Sequence, residues 1–137
     1  MLLAVLLIVA VGLLIVSALA ELVWQEQYNQ LQLANEWRAF YLAEAGIEKT
    51  KTLLAFFPLA YSDSTAPTNL PEGIVKQCNG YCENFSDGGY KAVRFQGKDE
   101  IYAYGWVGRS YDHPVARAFI MIRFSLSPFK TIHWERL

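Results

Sequence analysis

The stretch MLLAVLLIVAVGLLIVSALA, residues 1–20, decides the fold of this chain. It contains no ionisable side chain, and only Gly12 and Ser17 interrupt its apolar run. An apolar run of about 20 residues is long enough to cross the hydrocarbon core of a bilayer as a helix. The alternative, a secretory signal peptide, needs a basic n-region and an apolar core of only about 7–15 residues. Since no Lys or Arg precedes Arg38, the pattern favours a membrane helix.

The helical signal continues beyond the apolar run. Between Glu21 and Phe57 there is no proline and a single glycine, Gly46. Leu, Ala, Glu, Gln and Lys, which all favour helix, dominate this segment. Pro58 then supplies the stop. We therefore predict one helix from near Met1 to about Phe57, on the order of 85 Å long at the helical rise per residue.

The predicted helix has two halves with different surfaces. Residues 1–24 are apolar on every face, which predicts a transmembrane or polymerisation segment. Residues 25–57 are amphipathic, and we expect them to pack on the rest of the chain. The apolar positions at spacings near 3–4 are Trp24, Tyr28, Leu31, Ala34, Leu42 and Ala45. The remaining residues are too few to bury the first half, which must lie in lipid or against other proteins.

Residues 58–137 are predicted to form a globular β-rich domain. Residues 58–89 are rich in Pro, Gly, Ser and Thr and are typical of a long surface loop, with room for a short strand or turn. Four strand-like runs follow: Tyr90–Phe95, Ile101–Val107, Val115–Leu126 and Phe129–Trp134. Short links between them favour an antiparallel meander. The predicted fold class is α+β, with the long N-terminal helix packed on a small C-terminal antiparallel β-sheet.

Composition limits the classes of function. Hydrophobic residues make up 53% of the chain, which excludes a disordered protein. The chain has 12 Lys and Arg against 13 Asp and Glu, so its net charge does not indicate a nucleic-acid-binding protein. A weak basic pattern lies between the late aromatic residues. Its members are Lys91, Arg94, Lys98, Arg109, Arg117 and Arg123. DNA or another surface ligand is therefore a minor candidate partner.

No motif predicts an enzyme, a cofactor or a metal centre. His113 and His133 stand outside any nucleophile motif, and no P-loop, EF-hand or H-E-x-x-H string occurs. A calcium site is the alternative for four carboxylates, although loop carboxylates are usually solvated. These are Asp87, Asp99, Glu100 and Asp112.

The two cysteines and a sequon suggest covalent modification outside the cytoplasm. Cys78 and Cys82 are too few for a structural zinc site. Free buried thiols are one alternative, but a small disulfide loop is favoured because the domain follows an exported helix. Asn84 begins an Asn-Phe-Ser sequon, and Ser64 and Thr65 lie in a Pro-containing loop. These three residues are candidate glycosylation positions.

Two segments resemble the type IV pilins and the type II secretion pseudopilins. The uncharged N-terminal run has the form of their polymerisation helix. The stretch AFYLAEAGIE, residues 39–48, resembles the N-terminal region of PilX-type pilins. The resemblance covers residues 1–57, and the strand-rich remainder carries no motif of its own.

The resemblance implies a route to a filament. A short basic leader would be removed by a prepilin peptidase, leaving Met1 as a methylated N-terminus. The absence of a basic flank before the apolar run agrees with such processing. An inner-membrane assembly platform would then move the helices from the cytoplasmic membrane into an extracellular filament, built from copies of the chain and other pilins. The expected filament-core residues are Leu2, Leu3, Val5, Leu6, Leu7, Ile8, Val9, Val11, Gly12, Leu13, Leu14, Ile15, Val16 and Leu19.

Two positions depart from the family pattern. Most members carry a glutamate at the fifth mature position, which is held to pair with a neighbour's N-terminal amine, and this chain has Val5. The frequent proline near position 22 is replaced by Leu22. Two alternatives therefore stay open. The chain could be a minor or tip subunit that primes assembly, or a non-polymerising single-span membrane protein with a ligand-binding outer domain.

Overall fold

The absence of proline and the run of helix-favouring residues produce a single long helix. In this computed structural model, α1 spans Leu2–Phe56 over 55 residues, close to the predicted bounds. The described residues are 1–56, 62–63, 81–95, 99–126 and 129–137. The chain divides into two compact units, Met1–Ala34 and Asn35–Leu137. The first unit is helical, and the second contains the end of α1 and the β-sheet.

Six strands form one sheet. They are β1 (Ser62–Asp63), β2 (Tyr81–Phe85), β3 (Gly88–Phe95), β4 (Glu100–Val107), β5 (Ala116–Leu126) and β6 (Phe129–Arg136). Strands β3 to β6 form an antiparallel meander in the order β3-β4-β5-β6. The predicted long helix packed on an antiparallel sheet is therefore present. The four predicted strands all occur, with ends that differ by at most a few residues.

The outer side of β3 is shared by the two remaining strands. Strand β2 pairs antiparallel with the first part of β3, and Tyr81 faces Ala92 in the register. Strand β1 pairs in parallel with the last part of β3, where Ser62 faces Arg94. Both lie within the segment 58–89 that the sequence analysis assigns to a surface loop, as do the first residues of β3. The predicted loop left room for a short strand, and residues 58–61 and 64–80 of this segment lie outside the described residues.

Aromatic contacts explain why β2 forms despite its turn-rich surroundings. The ring of Tyr81 stacks on Tyr90 at 6.0 Å, and Phe85 lies 6.2 Å from the same ring. The hydroxyl of Tyr90 also donates a hydrogen bond to Glu83. These contacts cross between paired strands, which a reading of local turn composition does not detect.

Helix α1 covers one face of the sheet with small and branched side chains. The buried residues of this core are Ala43, Ile47, Leu54, Ala92, Ile101, Ala103, Ile120, Ile122 and Phe124. The approach is closest at Gly105 in β4. A Cβ atom there would lie 2.0 Å from the carbonyl oxygen of Ala39 and 2.5 Å from the backbone nitrogen of Ala43. The helix backbone therefore lies directly on the strand at this point.

The buried stripe of α1 differs from the expected one. Leu31, Ala34 and Ala45 are exposed, and Leu42 is only half-buried. The buried residues are instead Ala39, Ala43, Gly46, Ile47, Thr50 and Leu54. The close approach at Gly105 explains why Ala39 and Ala43 lie at the contact, because a backbone-to-backbone contact leaves no room for large side chains. The expected phase of the amphipathic half was therefore wrong.

The opposite face of the sheet is also buried. Tyr102, Tyr104 and Trp106 of β4 and Phe119 of β5 form an aromatic layer there. The ring centroids of Tyr104 and Phe119 are 4.5 Å apart. Strand β4 is consequently buried on both faces, which explains its continuous apolar run.

Strand β6 is an edge of the sheet. Within the part of the chain that the structure describes, it pairs with β5 and has no neighbour on its other side. The described side chains from 131 to 137 are exposed. The register shifts between Arg123 and Phe124, opposite the middle of β6.

Candidate functional site

The first functional feature is an apolar helix surface that the chain itself does not cover. An 18-residue window of α1 has a mean hydropathy of 3.1, and none of it is buried. The large apolar side chains from Leu2 to Val23 are exposed by between 47%, at Val11, and 79%, at Leu2. This helix is long and apolar enough to cross a membrane. A surface of this kind is stable only when lipid or apolar protein covers it.

The residues expected in a filament core all lie on this helix surface. Each member of the set from Leu2 to Leu19 is exposed within Met1–Ala34. Nothing lies within 4 Å of the position that a Cβ atom would take at Gly12. Val5 is exposed and apolar like the residues beside it, so no acidic side chain interrupts the surface at this position.

An aromatic pair marks the end of the apolar surface. Trp24 and Tyr28 are exposed by 73% and 69% and lie four residues apart, on the same side of the helix. Gln25 and Asn29 flank them and begin a polar segment. Indole and phenol rings favour the boundary between hydrocarbon and water. The pair therefore lies where the run of apolar residues gives way to polar ones.

The second unit contains the candidate modification residues. Cys82 in β2 is disulfide-bonded. Cys78 lies outside the described residues, so the predicted pairing stays a prediction. Asn84 is exposed near the turn between β2 and β3, while Ser64 and Thr65 lie outside the described residues.

The candidate calcium ligands are separated by their ion-pair partners. Asp87 pairs with Arg38, and the carboxylate of Asp99 lies 3.7 Å from Arg94. The carboxylate of Glu100 accepts from Arg123 at 2.8 Å. Among the described residues, no group of three or more His, Cys, Asp or Glu could hold a metal ion.

The histidines are placed apart from one another. His113 is exposed in the segment between β4 and β5. His133 lies on β6, where its Nε2 atom is 3.8 Å from Glu135.

The basic residues suggested by the sequence do not line one exposed face. Lys91 and Arg94 are buried, with exposed fractions of 6% and 9%. The Nζ atom of Lys91 lies 3.5 Å above the centroid of the Tyr111 ring, and burial lowers the pKa of this amine. Arg109 and Arg117 are exposed, and Lys98 lies outside the described residues.

One polar cluster was missed by the sequence analysis. Glu100 accepts a hydrogen bond from the hydroxyl of Tyr102 at 2.8 Å in addition to its ion pair with Arg123. Burial and this hydrogen bond raise the pKa of Tyr102 to about 12. The spacing of Glu100 and Tyr102 places them on one strand face, but Arg123 becomes a partner only through the register of β4 and β5.

No protein-family model, curated protein or solved structure matches this chain. The resemblance to type IV pilins therefore rests on residues 1–57 alone.

Proposed function

We propose that this chain is a structural subunit of an extracellular type IV pilus-like filament that polymerises through its N-terminal helix. One observation carries the proposal: the helix from Leu2 to Val23 exposes apolar side chains on every face. The stretch AFYLAEAGIE at residues 39–48, which resembles pilin sequences, supports the same reading. An α+β domain with a helix packed on an antiparallel sheet is compatible with it.

Physical chemistry gives two environments for such a helix. In the cytoplasmic membrane, lipid covers the apolar side chains before assembly. Outside lipid, only apolar surfaces such as those of other copies can cover them. Moving a helix from lipid into a bundle gains little from hydrophobicity, so close packing must stabilise the bundle. Gly12, which has no neighbour within 4 Å in the isolated chain, allows such close packing.

The partners follow from the resemblance. They are copies of the chain, other pilins, a prepilin peptidase and an inner-membrane assembly platform. Val5 favours a second candidate role, because it removes the acid with which most pilins are held to dock. In that role the chain is a minor or tip subunit that primes assembly. A third candidate is a single-span membrane protein that does not polymerise.

The test is a charge placed within the apolar helix surface. Leu7→Asp or Ile8→Asp would place a carboxylate where lipid or neighbouring helices must cover it, at a cost of about 2.5–3.5 kcal/mol. We expect the amount of this chain in filaments sheared from cells to fall at least about tenfold. Gln30→Asp adds the same charge to the exposed polar part of the helix and serves as the matched control.

The location of the chain separates the three roles. Electron cryo-microscopy of sheared filaments would show a major subunit along the whole shaft and a minor one only at an end. Detection of the chain solely in the membrane fraction would support the non-polymerising protein. Filaments that still incorporate Leu7→Asp at the wild-type level would contradict helix bundling.

A further inference from the structure

A small cleft opens between two turns at one end of the sheet. It has a volume of about 230 Å³ and is bordered by Asn84, Phe85, Trp106, Arg109, Ser110 and Tyr111. One wall comes from the β2–β3 hairpin, and the other comes from the segment between β4 and β5. Its size is below that of a typical drug-sized pocket of about 300–1,000 Å³, so it suits one ring and not a polymer.

Backbone hydrogen bonds hold the two walls together. The amide of Gly108 donates to the carbonyl of Asp87 at 3.0 Å, which ties one turn to the other. The amide of Val115 donates to Val107 at 2.8 Å, and the hydroxyl of Tyr104 donates to the carbonyl of Tyr111 at 3.0 Å. The segment between β4 and β5 is therefore fixed at both ends and in the middle. A cleft with fixed walls costs little ordering when a ligand binds.

Aromatic rings border the cleft. The ring of Tyr111 meets the indole of Trp106 edge to face at 6.1 Å, and Lys91 lies above the same phenol ring. Tyr111 and Phe85 remain 37% and 49% exposed, whereas Trp106 is buried. Two partly exposed rings beside a cleft provide flat apolar surfaces for a ring-shaped ligand.

The polar groups of the cleft are available to a ligand. The guanidinium of Arg109 makes no ion pair or hydrogen bond with the described residues. The side-chain amide of Asn84 makes no hydrogen bond with them either. The Ser110 hydroxyl accepts from the amide of Asp112 at 3.2 Å and retains its proton for donation. An unpaired guanidinium can bind a carboxylate through two parallel hydrogen bonds.

We propose that this cleft binds a single acidic sugar ring, such as a uronic acid, with its carboxylate on Arg109 and its ring against Phe85 and Tyr111. The ring hydroxyls are donors and acceptors for Asn84 and Ser110. This proposal does not depend on the filament proposal, because it uses only residues of the second unit.

The charges nearby distinguish this ligand from a nucleic acid. Asp112 follows Tyr111 directly, and Asp87 lies in the opposite turn. The carboxylate of Asp112, next to Tyr111 in the chain, repels a polyanion but accepts hydrogen bonds from sugar hydroxyls. A strand of DNA would also need more than one cation along its path.

The test compares glucuronate with glucose on the full chain in detergent micelles. The two sugars share a pyranose ring and differ in the carboxylate. Saturation-transfer NMR would detect binding, and isothermal titration would measure affinity. We expect glucuronate to bind at least about tenfold more tightly than glucose, and Arg109→Gln to reduce that affinity at least about tenfold.

Arg117→Gln is the matched control, because Arg117 is an exposed arginine of the same sheet that does not border the cleft. It should bind glucuronate like the wild type. Phe85→Leu keeps the apolar volume but removes the aromatic ring, and should lower the affinity several-fold. Near-UV circular dichroism would verify that each variant is folded.

Three results would overturn the proposal. The first is equal or absent binding of both sugars, and the second is the same affinity in the Arg109 and Arg117 variants. The third is a single-stranded oligonucleotide that binds through Arg109 where glucuronate does not. The binding experiments use the isolated chain in micelles and no filament, so a failure here leaves the filament proposal standing.

Discussion

At the scale of single residues, the contact between helix and sheet depends on two glycines, whose lack of a Cβ atom lets the two elements approach closely. Gly105 has no side chain where the backbone of α1 passes, and a Cβ atom there would overlap the carbonyl of Ala39. At Gly46, a Cβ atom would lie 2.8 Å from the ring of Tyr90. The Gly46 contact is with a side chain, whereas the Gly105 contact is with backbone. Backbone cannot rotate away, so Gly105 is the less replaceable of the two.

Gly105→Ala should therefore destabilise the second unit by about 2–4 kcal/mol, because the helix would have to move off the sheet. Urea unfolding of the full chain in detergent, followed by near-UV circular dichroism, would measure the change. Gly12→Ala adds the same methyl group where nothing lies within 4 Å, and should leave the unfolding midpoint unchanged. Equal midpoints for the two variants would show that the contact at Gly105 can relax.

Tyr102 should make stability sensitive to alkaline pH. Its pKa is raised to about 12 by burial and by the hydrogen bond to Glu100, against about 10 for an unfolded tyrosine. Between these values the folded state holds a proton that the unfolded state has lost. The stabilisation is complete below about pH 10 and is lost as the pH rises towards 12.

Tyr102→Phe removes this titration, so its free energy of unfolding should fall less steeply between pH 10 and 12. Urea titrations at pH 8, 10 and 11.5 would give the slopes. The variant also loses a hydrogen bond, worth about 1 kcal/mol, at every pH. Tyr41→Phe removes an exposed hydroxyl from the helix and should keep the wild-type slope. A Tyr102→Phe slope equal to that of the wild type would exclude this residue as the cause.

At the scale of elements, the sequence predicted what is local and missed what depends on register. The helix and the four strands β3 to β6 follow from propensity, proline placement and aromatic runs. Strand β2 was hidden in a turn-rich segment because its stabilising contacts cross to Tyr90. The buried face of α1 was assigned to a stripe that includes Leu31 and Ala45, whereas the sheet covers Ala39 and Ala43. The pairing of the strands and the face of the helix that is buried both depend on contacts between distant segments, so neither can be predicted from one segment alone.

The rotation of α1 can be tested with two truncations. Ile47 is buried in the core against β-strand residues, whereas Leu31 belongs to the stripe expected from the sequence and is exposed. Ile47→Ala should cost about 2–4 kcal/mol of unfolding free energy, and Leu31→Ala less than about 0.5 kcal/mol. The same urea experiment measures both. A larger loss of unfolding free energy for Leu31→Ala than for Ile47→Ala would show that the apolar stripe predicted from the sequence is the buried one.

At the scale of the whole molecule, the two units require different surroundings. The second unit buries apolar side chains on both faces of β4 and needs no outside partner for that core. The first unit has none of its apolar window buried. The chemistry of that exposed helix could be predicted from residues 1–20, because it depends on composition alone. The cleft beside Arg109 could not, since two turns distant in sequence form it.

The free edge of β6 carries a further consequence. Along that edge, the strand offers backbone donors and acceptors that the described part of the sheet does not use. Glu135 and Arg136 stand on this strand and carry opposite charges. Charged side chains on an exposed edge strand hinder the addition of a second strand. The edge of β6 is therefore expected to resist pairing with the sheet of a second copy more strongly than an apolar edge of the same length would.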